Sequence, residues 1–147
     1  MEPTTLLLVH AAATWAMVGL IWFVQVVHYP LFAFVPQQGF TEWQQANLPR
    51  TTKVVLPPMA VEFLCTLLLL FEAPERLQPL AWTGAALLAF VWLSTVFLQV
   101  PCHGTLEVRR DEAALRRLCA TNWLRTIGWT ARGVIAALML VPPLEGS

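Results

Sequence analysis

Leu80 to Val100 reads LAWTGAALLAFVWLSTVFLQV, 21 residues without one charge. A bilayer core about 30 Å thick is crossed by roughly 20 apolar residues in helix, so this run is long enough to span. Three further runs meet the same length: Leu6 to Val35, Val54 to Phe71 and Leu118 to Val141. All four are continuous rather than alternating, which excludes a membrane β-barrel. The expected fold is all-α: an integral membrane antiparallel four-helix bundle, one domain over residues 1–147 with no room for a separate soluble unit.

Composition agrees. Apolar residues make up 57% of the chain and charged residues 12%, about half the charge of an average soluble domain. Nine basic and nine acidic residues cancel to zero net charge, a balance that would leave a soluble protein prone to precipitate. It also excludes a nucleic-acid partner, since no basic excess exists to displace counterions.

The zero sum hides an asymmetry. Arg50 and Lys53 fall between the first two spans, and Arg109, Arg110, Arg116 and Arg117 between the last two; Arg76 alone occupies the other side. The bias predicts basic loops in the cytoplasm and both termini on the extracytoplasmic side of the inner (cytoplasmic) membrane. Glu2 stands where a secretory leader would carry positive charge, so the first apolar run is read as a span. Pro30 predicts a kink or stop in that span, with Tyr29, Phe32 and Phe34 in the interfacial layer. The segment Pro36 to Lys53 reads as a polar loop lying on the interface. Asp111 to Leu118 reads as an amphipathic helical lead-in to span four, acids first and arginines later. Three cysteines, Cys65, Cys102 and Cys119, at wide spacing argue against a structural disulfide.

Ionisable residues inside a span cost about 3 kcal/mol each and ask for partners. At about 100° per residue, His10, Thr14, Gln25 and His28 share a face of span one, and Glu62 stands inside span two. Thr95, Gln99 and His103 share a face of span three, as do Asn122, Arg125, Trp129 and Arg132 in span four. With antiparallel spans, His28, Glu62, His103, Asn122 and Arg125 converge in the cytoplasmic half, with Arg132 deeper.

Several chemistries fit these residue types. His28, Glu62 and His103 are the ligand types of a metal ion such as zinc, copper or iron, and the two histidines are also possible axial ligands of a haem. A pocket for a hydrophobic small molecule would use Arg125 and Arg132 to hold an anionic or enolic group and His28, His103 or Glu62 as base. Gln25, Gln99 and Asn122 would complete its polar lining, and Trp22, Trp92 and Trp129 would pack on its body. Against these stands a non-catalytic reading, in which the polar groups only fix helix packing in an accessory subunit of a larger complex. A further alternative is a small homo-oligomeric transporter or channel whose path is lined by the His10-to-His28 stripe.

Some short motifs carry a resemblance. Gly19 and Tyr29-Pro30-Leu31-Phe32 belong to span one, and Val100-Pro101-Cys102-His103-Gly104-Thr105-Leu106 closes span three. Asn122-Trp123-Leu124-Arg125 through Trp129-Thr130-Ala131-Arg132 lies in span four. This layout resembles the small four-helix bacterial membrane proteins of the anthrone-oxygenase-like family, with His103 standing where that family often carries asparagine. The resemblance implies an intramembrane oxidation site around His28, His103, Asn122, Arg125 and Arg132, acting without an obvious cofactor on a polycyclic phenolic molecule.

Overall fold

The computed structural model describes residues 2–141; Met1 and residues 142–147 of the expected domain lie outside the described residues. Four helical rods account for nearly all of it: α1, Thr4–Phe34; α2, Phe40–Glu72; α3, Glu75–Val108; and α4, Glu112–Met139. The first three are long and apolar enough to cross a membrane. Rod α4 has 28 residues, about 42 Å at 1.5 Å per residue, but Arg116, Arg117, Arg125 and Arg132 lower its hydropathy below that of the others.

Short links make each rod run back along its predecessor. The rods form a closed ring, α1 packing on α2, α2 on α3, α3 on α4, and α4 back on α1. One end of the bundle, here the basic end, gathers the end of α1, the start of α2, the end of α3 and the start of α4, with Arg109, Arg110 and Arg116.

The ring is apolar outside and polar inside. Phe71, Phe97 and Ile127 point outward at 85%, 67% and 63% exposure. Buried between the rods are His10, Gln44, Glu62, Gln99, Asn122 and Arg132, beside core residues such as Met17, Phe32, Val91 and Trp129. Close approach of α3 and α4 depends on Gly128, where a Cβ would stand 2.5 Å from Val91 Cγ2.

Two local expectations are corrected. Of the kink or stop expected at Pro30, the stop does not occur: the rod passes through a π turn at Val24–His28 and continues to Phe34. The wider turn just before the proline accommodates the missing backbone donor. The expected interfacial loop is mostly helix, because α2 begins at Phe40, behind Gly39 at φ +84°. Phe40 and Gln44 are fully buried there, so tertiary packing carries the helix through Pro49, Pro57 and Pro58. Finally, α3 continues as helix through Pro101 to Val108. The lead-in to α4 is helical from Glu112, with the Asp111 carboxylate accepting from Ala114 N at 2.9 Å. Cys65, Cys102 and Cys119 are free thiols.

Candidate functional site

The polar residues that the sequence places at one level form two separate groups. The first lies nearer the end opposite the basic end and is closed. Arg132 Nε donates to Glu62 Oε1 at 2.8 Å, both side chains being almost wholly buried. Arg132 Nη1 donates to the Gly84 carbonyl, and Nη2 donates to Thr66 Oγ1 at 3.0 Å and lies 3.5 Å from His10 Nε2. The other Glu62 oxygen accepts from Trp129 Nε1 at 2.9 Å. Both carboxylate oxygens and every arm of the guanidinium are engaged. A charge pair this deep persists only when so satisfied, and it leaves Glu62 and Arg132 no free atom for a substrate.

At Gly84, whose carbonyl accepts from Arg132, a Cβ would stand 3.6 Å from Nη1, an ordinary van der Waals contact.

The second group lies toward the basic end and is open. Tyr29 Oη is 3.1 Å from His103 Nε2, and Gln44 Nε2 is 3.1 Å from His103 Nδ1. A neutral imidazole donates from one of these nitrogens and accepts at the other, so His103 links the Gln44 amide to the Tyr29 hydroxyl in one hydrogen-bonded chain. Arg125 lies beside the same hydroxyl; its Nη1 donates to Asn122 Oδ1 at 3.2 Å, and its Cζ sits 5.3 Å from the Trp129 ring centroid. Trp129 therefore touches both groups: its indole N–H serves Glu62, its ring face serves Arg125.

Arg125 is 8% exposed, and its Nε has no partner. Among the described residues the ion pairs are Arg109–Asp111, Arg110–Glu112 and Arg132–Glu62, so Arg125 is a buried cation without a carboxylate. It lines a cavity of about 230 Å³ together with Tyr29, Gln99, His103, Val55 and Met59. Leu56 and Val100 also line it and are 58% and 56% exposed, which puts its mouth on the apolar outside of the ring.

Two π turns build this arrangement. Val24–His28 precedes Pro30, and Thr95–Gln99 precedes Pro101. Each widened turn shifts the residues after it around the rod. In α1 the shift carries the inward position from His28 to Tyr29: Tyr29 is buried, whereas His28 is half-buried and faces Asn47, 3.4 Å away, and the rings of Phe23 and Phe32. Tyr29, expected in the interfacial layer, is thus a central polar residue.

The remaining expected site residues divide. Gln25 Oε1 accepts from Asn122 Nδ2 at 2.9 Å and Gln25 Nε2 donates to the Cys119 carbonyl. Gln99 Nε2 donates to Thr121 Oγ1 at 3.0 Å at the edge of the cavity. Trp22 is on the outside, donating to Thr130 Oγ1. Trp92 stacks on Phe63 in a different groove, between α2 and α3. Neither tryptophan reaches the cavity.

The expected metal ligands do not come together. Among the described residues no group of three His, Cys, Asp or Glu side chains gathers as a metal site. Glu62 is held by Arg132 and Trp129, in the group apart from His103. His103 Nε2 and Nδ1 lie 3.1 Å from Tyr29 Oη and Gln44 Nε2. Gln44 and Asn47, which complete the polar group, fall in the stretch read as a loop; their signal in the sequence was only their spacing of three with Phe40 and Trp43 beside them.

Comparison with protein-family models, with curated proteins and with solved structures finds no match.

Proposed function

We propose that the protein is an integral membrane protein, its four rods crossing the bilayer, that holds a hydrophobic small molecule in the cavity at Arg125. The observation that carries the reading is Arg125 itself: a buried cation with no carboxylate and an unpartnered Nε, on the wall of a cavity whose mouth faces the apolar outside. Such a group is expensive to keep in lipid, and a bound molecule with a polar head relieves it. Ligand cavities are mostly apolar with a few convergent polar groups; here Tyr29, His103, Gln99 and Arg125 face Val24, Val55 and Met59.

The outward phenylalanines and leucines support insertion. The basic end, with Arg50, Lys53, Arg109, Arg110, Arg116 and Arg117, faces the cytoplasm by the charge rule, leaving both termini on the outer side of the cytoplasmic membrane. The resemblance to the anthrone-oxygenase-like family extends the proposal to oxidation of the bound molecule. In that reading Arg125 holds its oxygen, and the Tyr29 hydroxyl, linked to His103, donates to the same oxygen. The accessory-subunit reading keeps one specific support, the closed Glu62–Arg132 pair, whose geometry serves packing. Rods α1 and α3 pass through their π turns as continuous helix, unlike the unwound spans of transporters.

The test is mass spectrometry of small molecules co-purifying with the protein. Wild type carries a defined hydrophobic compound, and Arg125→Gln and Tyr29→Phe lose it while remaining folded. A wild type and an Arg125→Gln protein with identical extracts would sink the proposal. Turnover, if oxidative, appears as oxygen uptake that Tyr29→Phe and His103→Gln abolish.

A further inference from the structure

Resting on the pocket reading above, the chemistry of the ligand's head follows from what the cavity offers and what it lacks. On the offering side are donors. Arg125 Nε is buried with no partner; Nη1 donates to Asn122 Oδ1, and the Tyr29 hydroxyl lies beside the guanidinium. The Tyr29 hydroxyl, 3.1 Å from His103 Nε2 and on the cavity wall, is a second donor to the head in the tautomer in which Nε2–H donates to it.

On the lacking side is negative charge. The polar groups around Arg125 are amide, hydroxyl and imidazole, with Asn122 hydrogen-bonded to it, Tyr29 beside it, and Gln99 and His103 on the same cavity wall. The carboxylate of Glu62 lies behind Trp129 and is already paired with Arg132. The wall past Leu56 and Val100 is apolar and exposed, which suits the tail of an amphiphile.

We propose that the cavity binds amphiphiles whose head is an oxyanion carrying one negative charge, seated between the Arg125 guanidinium and the Tyr29 hydroxyl, with the apolar tail leaving between Leu56 and Val100. A single charge neutralises Arg125; a neutral head would leave the cation buried and uncompensated. Planar N–H donors beside a hydroxyl suit a carboxylate or an ionised phenol alike, and the shared requirement is the anionic oxygen. The cavity, at about 230 Å³, takes the head and the first part of a chain, while the rest lies along the outer face of α2 and α3.

The experiment uses the full chain in nanodiscs of zwitterionic lipid. Binding is measured for radiolabelled palmitate, for hexadecanol of the same chain length, and for a long-chain alkyl nitrophenol whose colour reports its ionisation. Palmitate binds saturably at one per chain, about tenfold or more tighter than hexadecanol. Arg125→Gln removes that preference, and Leu56→Trp, which plugs the mouth from the exposed side, weakens palmitate by a similar factor. A nitrophenol bound in its yellow, ionised form below its solution pKa assigns the site to phenolates as well; one that stays neutral or unbound restricts it to carboxylates. Hexadecanol binding as tightly as palmitate, or Arg125→Gln keeping the preference, overturns the oxyanion head while leaving the cavity reading intact. If neither compound binds and Leu56→Trp changes nothing, the cavity reading falls with it. Should Arg125→Gln not fold, the palmitate-to-hexadecanol ratio on wild type decides alone.

Discussion

At the scale of single residues, two buried arginines seven positions apart on one helix face have opposite situations. Arg132 is saturated by Glu62, Gly84, Thr66 and His10, whereas Arg125 keeps a donor free. Their spacing makes them equivalent in the sequence; the difference lies in Trp129, which turns its N–H to one side and its ring face to the other. Losing one partner of a buried pair strands the other, so Arg132→Gln should cost about 3–5 kcal/mol. Glu62→Gln added to it should recover part of that loss, since the stranded charge is gone; thermal or denaturant unfolding of the single and double variants measures both. Gly128→Ala should cost about 1–3 kcal/mol through overpacking, because its Cβ would strike Val91 Cγ2, and Gly84→Ala, with 3.6 Å of room, should cost less in the same assay. Reading Glu62 as a partner of one arginine was possible from the sequence. Which arginine it takes depends on relative rod heights that spacing does not give.

At the scale of elements, periodicity located the rods but not their local irregularities. A period of 3.6 put His28 inward, yet the π turn at Val24–His28 moved that position to Tyr29. Pro30 was visible in the sequence as a disturbance; that it is preceded by a wide turn rather than marked by a break, as Pro101 is too, was not. The start of α2 was misread for another reason: Phe40 to Lys53 has loop-like composition, and its helix is held by the burial of Phe40 and Gln44 against other rods. The start of α4 was legible, because capping is a local matter. Asp111 accepts from Ala114 N and pairs with Arg109 at 3.0 Å; the Ala114 N–H first, and then Arg109, hold its carboxyl below the ordinary 3.8. A carboxyl depressed in the folded state stabilises above its unfolded value and loses that contribution as pH falls through its folded one. Asp111→Asn should therefore lower stability at neutral pH and flatten the acid limb of the unfolding curve below about pH 4. A variant whose acid limb overlays wild type would show that the cap carries no such linkage.

At the scale of the whole molecule, the arrangement is a ring of rods that is apolar outside and polar inside, with its charge gathered at one end. The orientation inferred from that charge predicts a labelling pattern. A cysteine placed at Glu75 in the short α2–α3 turn should react with a membrane-impermeant maleimide added to intact cells, and one placed at Arg109 should react only after permeabilisation; the reverse pattern would invert the topology. By itself the sequence determined the helical class, the four rods, the single basic end and most of the polar residues turned inward, among them His10, Glu62, Gln99, Asn122, Arg125 and Arg132. These follow from composition, run length and helical periodicity, which are local and additive along the chain. Only the tertiary structure decided which of those polar residues meet. It closed Glu62 on Arg132, set Tyr29 and Gln44 on either side of His103, and left Arg125 free beside a cavity. The reason is physical: contact between rods depends on their relative height, on one-residue shifts at π turns and on a single ring such as Trp129 standing between two cations, and none of these is fixed by any one segment alone.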